Sequence, residues 1–203
     1  MVPYDDRARG VTPGLRRDYA KRTADQQAAF VLPHLRPGMN LLDVGCGPGT
    51  ITTGLAETVS PGTVVGLDHD PQHVEEARTL ASELGRENAT FLTGDARSLP
   101  FEDDTFDAVL ENNVFVHLGD AVPQVAAEIY RVVRPEGFFA ARDTNADAVM
   151  WGEQTPLMEQ FDELFTRWHH SRGSDITIGK RLPAIVREAG FTETIKSVSA
   201  DTK

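Results

Sequence analysis

Cysteine is almost absent: Cys46 is the single one in 203 residues. No internal disulfide can form, and a reducing compartment, the cytoplasm, is the expected location. Basic residues are scarce beside acidic ones, 20 Lys and Arg against 31 Asp and Glu, for a formal charge of −11. So negative a surface repels phosphate backbones and anionic lipid, which argues against nucleic acid or a membrane as partner. Long apolar runs are missing too, and none approaches the ~20 residues a helix needs to cross a bilayer. The opening MVPYDDRARG is polar, without the apolar stretch of a secretory signal. Repeats and low-complexity tracts are also lacking. What is present, 40% hydrophobic and 25% charged residues, is the composition of one folded domain over 1–203.

Periodicity then orders the chain. Thr23 with Gln26 forms a capping box ahead of a helical stripe of Ala28, Val31, Leu32 and Leu35, ended by Pro37-Gly38. NLLDVG reads as a buried strand, Thr50 to Val59 as a helix and TVVGLD as a second strand. A helix follows with Asp70 as N-cap and Pro71 as its first residue. ATFLTGD and FDAVLEN are strands three and four. The helix from about Asp120 to Val133 carries Val125, Ile129, Val132 and Val133 on one face, and GFFAARD is strand five. Gly179 to Ala189 is a helix closed by Gly190, and FTETIKSVSA is a last extended segment. Such alternation predicts an α/β fold with a doubly wound, mainly parallel sheet. Ligands of these folds lie outside the carboxyl ends of the strands.

The first strand runs into Asp43-Val-Gly45-Cys46-Gly47-Pro-Gly49. A dinucleotide fingerprint places its third glycine one residue later, at the N-terminus of a helix that faces pyrophosphate. The spacing here, with an acid two residues before the first glycine, suits close backbone approach to a ligand without phosphate. The plainer alternative is a tight strand-to-helix turn. Asp68 ends the second strand, where a carboxylate can accept from two ribose hydroxyls, or be a solvated strand end. After the third strand comes Gly94-Asp95-Ala96, able to offer a carboxylate to an exocyclic amine and a backbone N–H to a ring nitrogen. The three together describe adenosine.

The ordered set LDVGCGPGT, VVGLD, GDARSLPFEDDTFDAV and YRVVRPEGFFAARD resembles the class I S-adenosylmethionine-dependent methyltransferases, closest to the small-molecule group of ubiquinone and menaquinone biosynthesis. The resemblance spans roughly residues 20 to 195 and implies S-adenosyl-L-methionine as cofactor. By that resemblance the loop with Asp43, Gly45, Cys46, Gly47 and Gly49 faces the methionine moiety. Asp68, with His69 beside it, holds the ribose; Gly94, Asp95 and Ala96 read adenine; Asn112 is a further contact. His73 stands where the family often has an apolar side chain against adenine. It either stacks there or sits partly exposed in the first helical turn.

The implied activity is methyl transfer to a small organic acceptor; the alternative is a module that binds the cofactor without turnover. Candidates for the acceptor side are Asn113, His117, Arg142, Asp143 and Trp151, with His117 and Asp143 as candidate bases. His117, four residues after Asn113, shares a helical face with it on this reading, and its plainer role is packing at the next helix. Arg142 and Asp143 either pair with each other or with neighbouring loops, or act at the strand end. The domain divides into an N-terminal helical segment (1–37), a cofactor-binding core (38–143), an insertion (144–178) and a C-terminal helix and strand (179–203). The insertion is read as a lid with Met150, Trp151, Phe161, Phe165 and Trp168 as walls, the alternative being core packing. His69 with His73, or His169 with His170, do not make up a zinc-ligand set, so no metal is expected. The family's final antiparallel strand has no counterpart after VSADTK. An unpaired sheet edge invites pairing with a second chain, so a homodimer is expected.

Overall fold

The computed structural model describes residues 21–146 and 155–197, in two compact units, Met1–Thr93 and Gly94–Lys203. In the first unit Thr23 caps α1 (Ala24–Gln27), its hydroxyl accepting from Gln26 N–H at 3.4 Å. The helix is shorter than its apolar stripe suggests. Turns follow Gln27 and end in a 3₁₀ turn at Leu32–His34, where Pro33 sits in the first turn and has no N–H to donate. Burial still follows the stripe: Ala28, Val31 and Leu35 are in the core.

β1 (Leu41–Val44), β2 (Val64–Asp68) and β3 (Ala89–Thr93) pair in parallel in the order β3-β2-β1, with Leu41 beside Val64 and Val64 beside Ala89. All four β1 residues are buried, as a strand covered on both faces requires. α2 (Thr50–Val59) and α3 (Pro71–Glu83) supply the covering helices. Asp70 caps α3 as expected, accepting from Gln72 N–H at 2.8 Å. The buried side of α3 (His73, Val74, Ala77, Ala81) forms a core with Cys46 and Phe91.

In the second unit β4 (Phe106–Asn112), wholly buried, pairs in parallel with β5 (Val133–Arg142), from Ala108 beside Phe138 to Asn112 beside Arg142. α4 (Val122–Val132) buries Val125, Ile129 and Val132, the face its periodicity indicates. α5 (Pro156–Ser171) follows, then α6 (Leu182–Ala189), which ends at Gly190 with φ 119°. Tyr130 of α4 meets the Phe191 ring edge-on at 5.0 Å.

Two expectations change. Phe191–Ser197 carry no strand, although their sequence alternates; an extended segment becomes a strand only where a neighbour's N–H and C=O groups are free to pair with it. Residues 198–203 lie outside the described residues. Core packing for the aromatics of the insertion is also overturned, since α5 buries none of its residues. Met150 and Trp151 lie outside the described residues. No helix among the described residues is long and apolar enough to cross a membrane.

Candidate functional site

In the first unit the carboxyl ends of β1 and β2 meet. The turn after β1 doubles back because Gly45 and Cys46 both donate to Leu67 O, at 2.7 and 3.1 Å. Its backbone is left-handed at Gly47 (φ 53°) and at Gly49 (φ 79°). At Gly47 a Cβ would meet nothing within 4 Å, so that side of the loop is open. At Gly49 a Cβ would lie 2.7 Å from Ala77 Cβ and 3.1 Å from Phe91 Cε1. The two glycines therefore serve different ends: Gly47 presents bare backbone, and Gly49 seats α2 against α3.

Asp68 binds this loop. Its Oδ2 accepts from Gly47 N–H at 2.8 Å and its Oδ1 from Asp70 N–H at 2.9 Å. His69 Nδ1 stands 3.3 Å and His73 Nδ1 3.6 Å from Oδ1. Burial alone would raise the pKa, but hydrogen bonds from His69, His73 and the two N–H groups hold the carboxyl well below its ordinary range. An ionised carboxylate has about four lone-pair sites, so Oδ2 keeps acceptor capacity beyond Gly47. An ionised acceptor behind an open, bare-backbone turn fits the sugar hydroxyls of a phosphate-free nucleoside. His73 is buried, which removes the partly exposed alternative for it.

Asp43 and Cys46 face inward. Thr52 donates to Asp43 Oδ2 at 2.6 Å, tying β1 to the first turn of α2. Burial, with the Asp68 charge added and the Thr52 bond opposing, pushes Asp43 up to about 7. The Cys46 thiol packs in the α3 core, and burial followed by the charges of Asp43 and Asp68 pushes its pKa far up. It is inert.

In the second unit Gly94, Asp95 and Ala96 lie in the loop after β3. Asp95 is exposed, and Arg97 grips both its oxygens, with Nε at 3.0 and 2.9 Å and Nη2 at 2.6 Å. At the end of β4 the buried Asn112 accepts from Asn113 Nδ2 at 3.0 Å. Asn113 is left-handed (φ 58°), its N–H donates to Arg142 O at 2.8 Å, and its Oδ1 accepts from the Thr144 hydroxyl at 3.1 Å. That backbone turn separates Asn113 from the 3₁₀ turn Phe115–His117, so Asn113 and His117 do not share a helical face. Residue spacing does not reveal the interruption; an Asn followed by β-branched Val is its one faint signal.

Asp143 is held by backbone donors. Its Oδ2 accepts from Val116 N–H and its Oδ1 from Thr144 N–H, both at 3.2 Å. Burial drives its pKa up to about 7 against these bonds, with the Asp175 charge adding to the rise. Sequence reasoning missed its neighbour Glu111, wholly buried in β4, whose Oε2 accepts from Val114 N–H at 3.1 Å. Burial and then the Asp143 charge raise it well above the ordinary range. An acid inside the apolar run FDAVLEN was the signal available.

These acids set a pH dependence. Asp43, Asp143 and Glu111 hold protons in the folded chain at pH values where the unfolded chain has lost them. Their stabilisation is complete below the unfolded value of roughly 4 and is lost as pH rises through the folded values. Asp68 acts oppositely: its contribution is present above its unfolded value and lost as pH falls toward its depressed one. The melting temperature is therefore expected to fall between about pH 5 and pH 8, and Asp43→Asn to flatten the slope. A melting temperature that climbs across that window contradicts the assignment of these carboxyls.

A family described as a methyltransferase domain matches residues 35–190. An uncharacterized methyltransferase of Schizosaccharomyces pombe is 35% identical over 144 residues, 68% of this chain and 51% of its own. A demethylmenaquinone methyltransferase of Symbiobacterium thermophilum is 32% identical over 180 residues, covering 79% of this chain and 71% of its own. The solved structure of a SAM-dependent methyltransferase from Aquifex aeolicus superimposes with a TM-score of 0.65 at 22% identity, over 88% of either chain. The fold is thus the Rossmann-like class I methyltransferase fold. The chain spans about half the length of the first curated relatives it matches, 51, 46 and 44%.

Proposed function

Because the chain belongs to the methyltransferase domain family, with S-adenosyl-L-methionine as cofactor, we propose that it moves the donor's methyl group onto a small organic acceptor in the cytoplasm. When bound, S-adenosylmethionine supplies an electrophilic methyl carbon on a sulfonium, which departs as a neutral thioether. The observation that carries the reading is the Asp68 carboxylate set directly behind the left-handed glycine turn, accepting from Gly47 N–H at 2.8 Å. Gly45 and Gly47 would line the methionine moiety, with Gly49 seating α2 behind them, and Asp68 would take the ribose hydroxyls with His69 and His73 beside it. For Gly94, Asp95, Ala96 and Asn112 the family resemblance alone supports a role toward the cofactor. The relatives that methylate demethylmenaquinone support an acceptor of small-molecule size.

Alignment of acceptor and methyl supplies most of the acceleration in such a transfer. A base is needed only where the acceptor must lose a proton, as a phenol must. We assign that role to Asp143. Its two oxygens are oriented by Val116 and Thr144 N–H groups, and its carboxyl, pushed up to about 7, is matched to taking a proton near neutrality. Asn113, Arg142 and His117 are placed on the acceptor side with it. His117, half-buried on the 3₁₀ turn, is the second candidate base.

Mass spectrometry of small molecules retained by the purified protein is expected to find S-adenosylmethionine or S-adenosylhomocysteine. In calorimetry, S-adenosylhomocysteine should bind and NADH should not; the reverse would sink the reading. Across a panel of phenols, quinols, thiols and amines, Asp143→Asn should lower kcat for phenolic acceptors by roughly 10²–10⁴-fold and abolish the limb of the pH–rate profile near 7. An undiminished rate in that variant would remove Asp143 as the base.

A further inference from the structure

Glu111 is an acid to which methyl transfer itself gives no task. It lies wholly buried near the end of β4, and its Oε2 accepts from Val114 N–H at 3.1 Å. Its other oxygen, Oε1, is buried with no hydrogen-bond partner among the described residues. A carboxylate charge left so in a protein interior is strongly disfavoured. Burial and then the Asp143 charge raise the group well above its ordinary range, and the N–H groups of Val114, Phe115 and Arg142 oppose the rise without reversing it. Glu111 therefore keeps its proton. With Oε2 as the accepting carbonyl oxygen, Oε1 carries it.

What this acid holds is a turn. The N–H groups that open a helical turn have no partner within it. At the 3₁₀ turn Phe115–His117 two carboxyls divide them: Glu111 takes Val114 N–H, and Asp143 Oδ2 takes Val116 N–H at 3.2 Å. Phe115 N–H, between these two in sequence, acts on both carboxyls. Asp175 holds the same turn by its backbone, its N–H donating to Val116 O at 2.9 Å. Strand register brings the parts together, for Glu111 lies beside Ala141 and Asn112 beside Arg142. Asp143 thus leaves β5 where the turn leaves β4. The other titratable groups at this end of the two strands are Arg142, His117 and Asp175, the last paired with Arg181 at 3.1 Å.

We propose that Glu111 is a positioning residue for the acceptor-side base: its Oε2 fixes Val114 N–H, and with it the turn whose Val116 N–H aims Asp143. An apolar side chain of similar volume would fill the site in β4 but leave Val114 N–H without its acceptor. The turn would then loosen where Asp143 is gripped, and that carboxyl would lose a donor that favours its ionised form. This role rests on Asp143 being the base of the transfer. The acceptor's proton goes to Asp143, and Glu111 retains its own throughout.

Glu111→Leu and Glu111→Gln test the role beside Asp143→Asn, with a phenol as acceptor. Glu111→Leu should lower kcat by roughly 10- to 100-fold, as a misplaced reacting group does, with the KM for S-adenosylmethionine unchanged. Its rate should rise with pH later than the wild type's limb near 7, because Asp143 has lost an N–H donor. Amide hydrogen exchange at Val114 and Val116 should quicken in the same variant. Glu111→Gln keeps an accepting oxygen and cannot ionise, so it should return rate, pH profile and exchange to near those of the wild type. In the infrared the wild type should show a protonated-carboxyl band at about pH 8, where an ordinary Glu is ionised, and Glu111→Gln should remove it. Unchanged circular dichroism and S-adenosylhomocysteine affinity show that a variant folds; Glu111→Met replaces Glu111→Leu if it does not. Wild-type rate and exchange in Glu111→Leu overturn the proposal, as does a Glu111→Gln impaired to the same extent as Glu111→Leu, or a wild type without the band. An undiminished rate in Asp143→Asn instead removes the base on which the role rests. A diminished one beside an unimpaired Glu111→Leu removes Glu111 alone.

Discussion

Asp68→Ala should weaken S-adenosylhomocysteine binding by roughly 10- to 150-fold, the 1.5–3 kcal/mol of hydrogen bonds made to a charged group. Three features put the effect at the upper end. Asp68 is buried, so what it binds is shielded from competing water. It is held ionised by His69, His73 and two backbone N–H groups, so it meets a hydroxyl donor as a full charge. It also anchors the glycine turn through Gly47 N–H, so its loss loosens the backbone that lines the ligand. Calorimetric titration of wild type and variant measures the change. Asp68→Asn separates the causes: an amide oxygen still accepts from Gly47 N–H, so it should restore the turn but not the charge. An affinity that Asp68→Ala leaves within twofold would remove this residue from the cofactor site.

Gly49→Ala should destabilise the first unit on two counts. The residue is left-handed at φ 79°, a conformation that costs an L side chain roughly 1–2 kcal/mol. The new Cβ also falls 2.7 Å from Ala77 Cβ and 3.1 Å from Ala77 Cα, neither of which can rotate away. Overpacking of that kind costs about 1–3 kcal/mol more. The sum corresponds to a melting temperature lower by roughly 5–15 °C for a chain of this size. Gly47→Ala is the control. It carries a similar backbone cost with open space around the methyl, so its melting temperature should fall by less than half as much. Equal losses in the two variants would show that the approach of α2 to α3 is not what Gly49 protects.

Much of this was legible beforehand, for identifiable reasons. The α3 start follows from Asp70 and Pro71 alone, because an N-cap and a first-turn proline act through neighbouring backbone groups. The buried face of α4 follows from spacing, since a helix repeats regardless of what it packs on. Failures came where an outcome depends on distant partners. α1 stops at Gln27 and gives way to turns, although its apolar stripe runs on to Leu35. Phe191–Ser197 alternate like a strand but pair with none, because pairing is a property of two segments. His117 and Asn113 look like neighbours one helical turn apart, yet a single left-handed residue turns them from each other.

The sequence by itself determined the order of strands and helices, the glycine turn and the acid that ends β2, since each is written in short-range pattern: alternation, periodicity, spacing. Only the tertiary structure decided what the acids are. Asp43, Asp68, Glu111 and Asp143 look alike in one-letter code, yet one is held ionised and three are pushed toward their neutral form. The difference lies in burial and in which N–H groups, hydroxyls and imidazoles converge on each carboxylate, and those partners include residues 27 positions away, as Val116 is from Asp143.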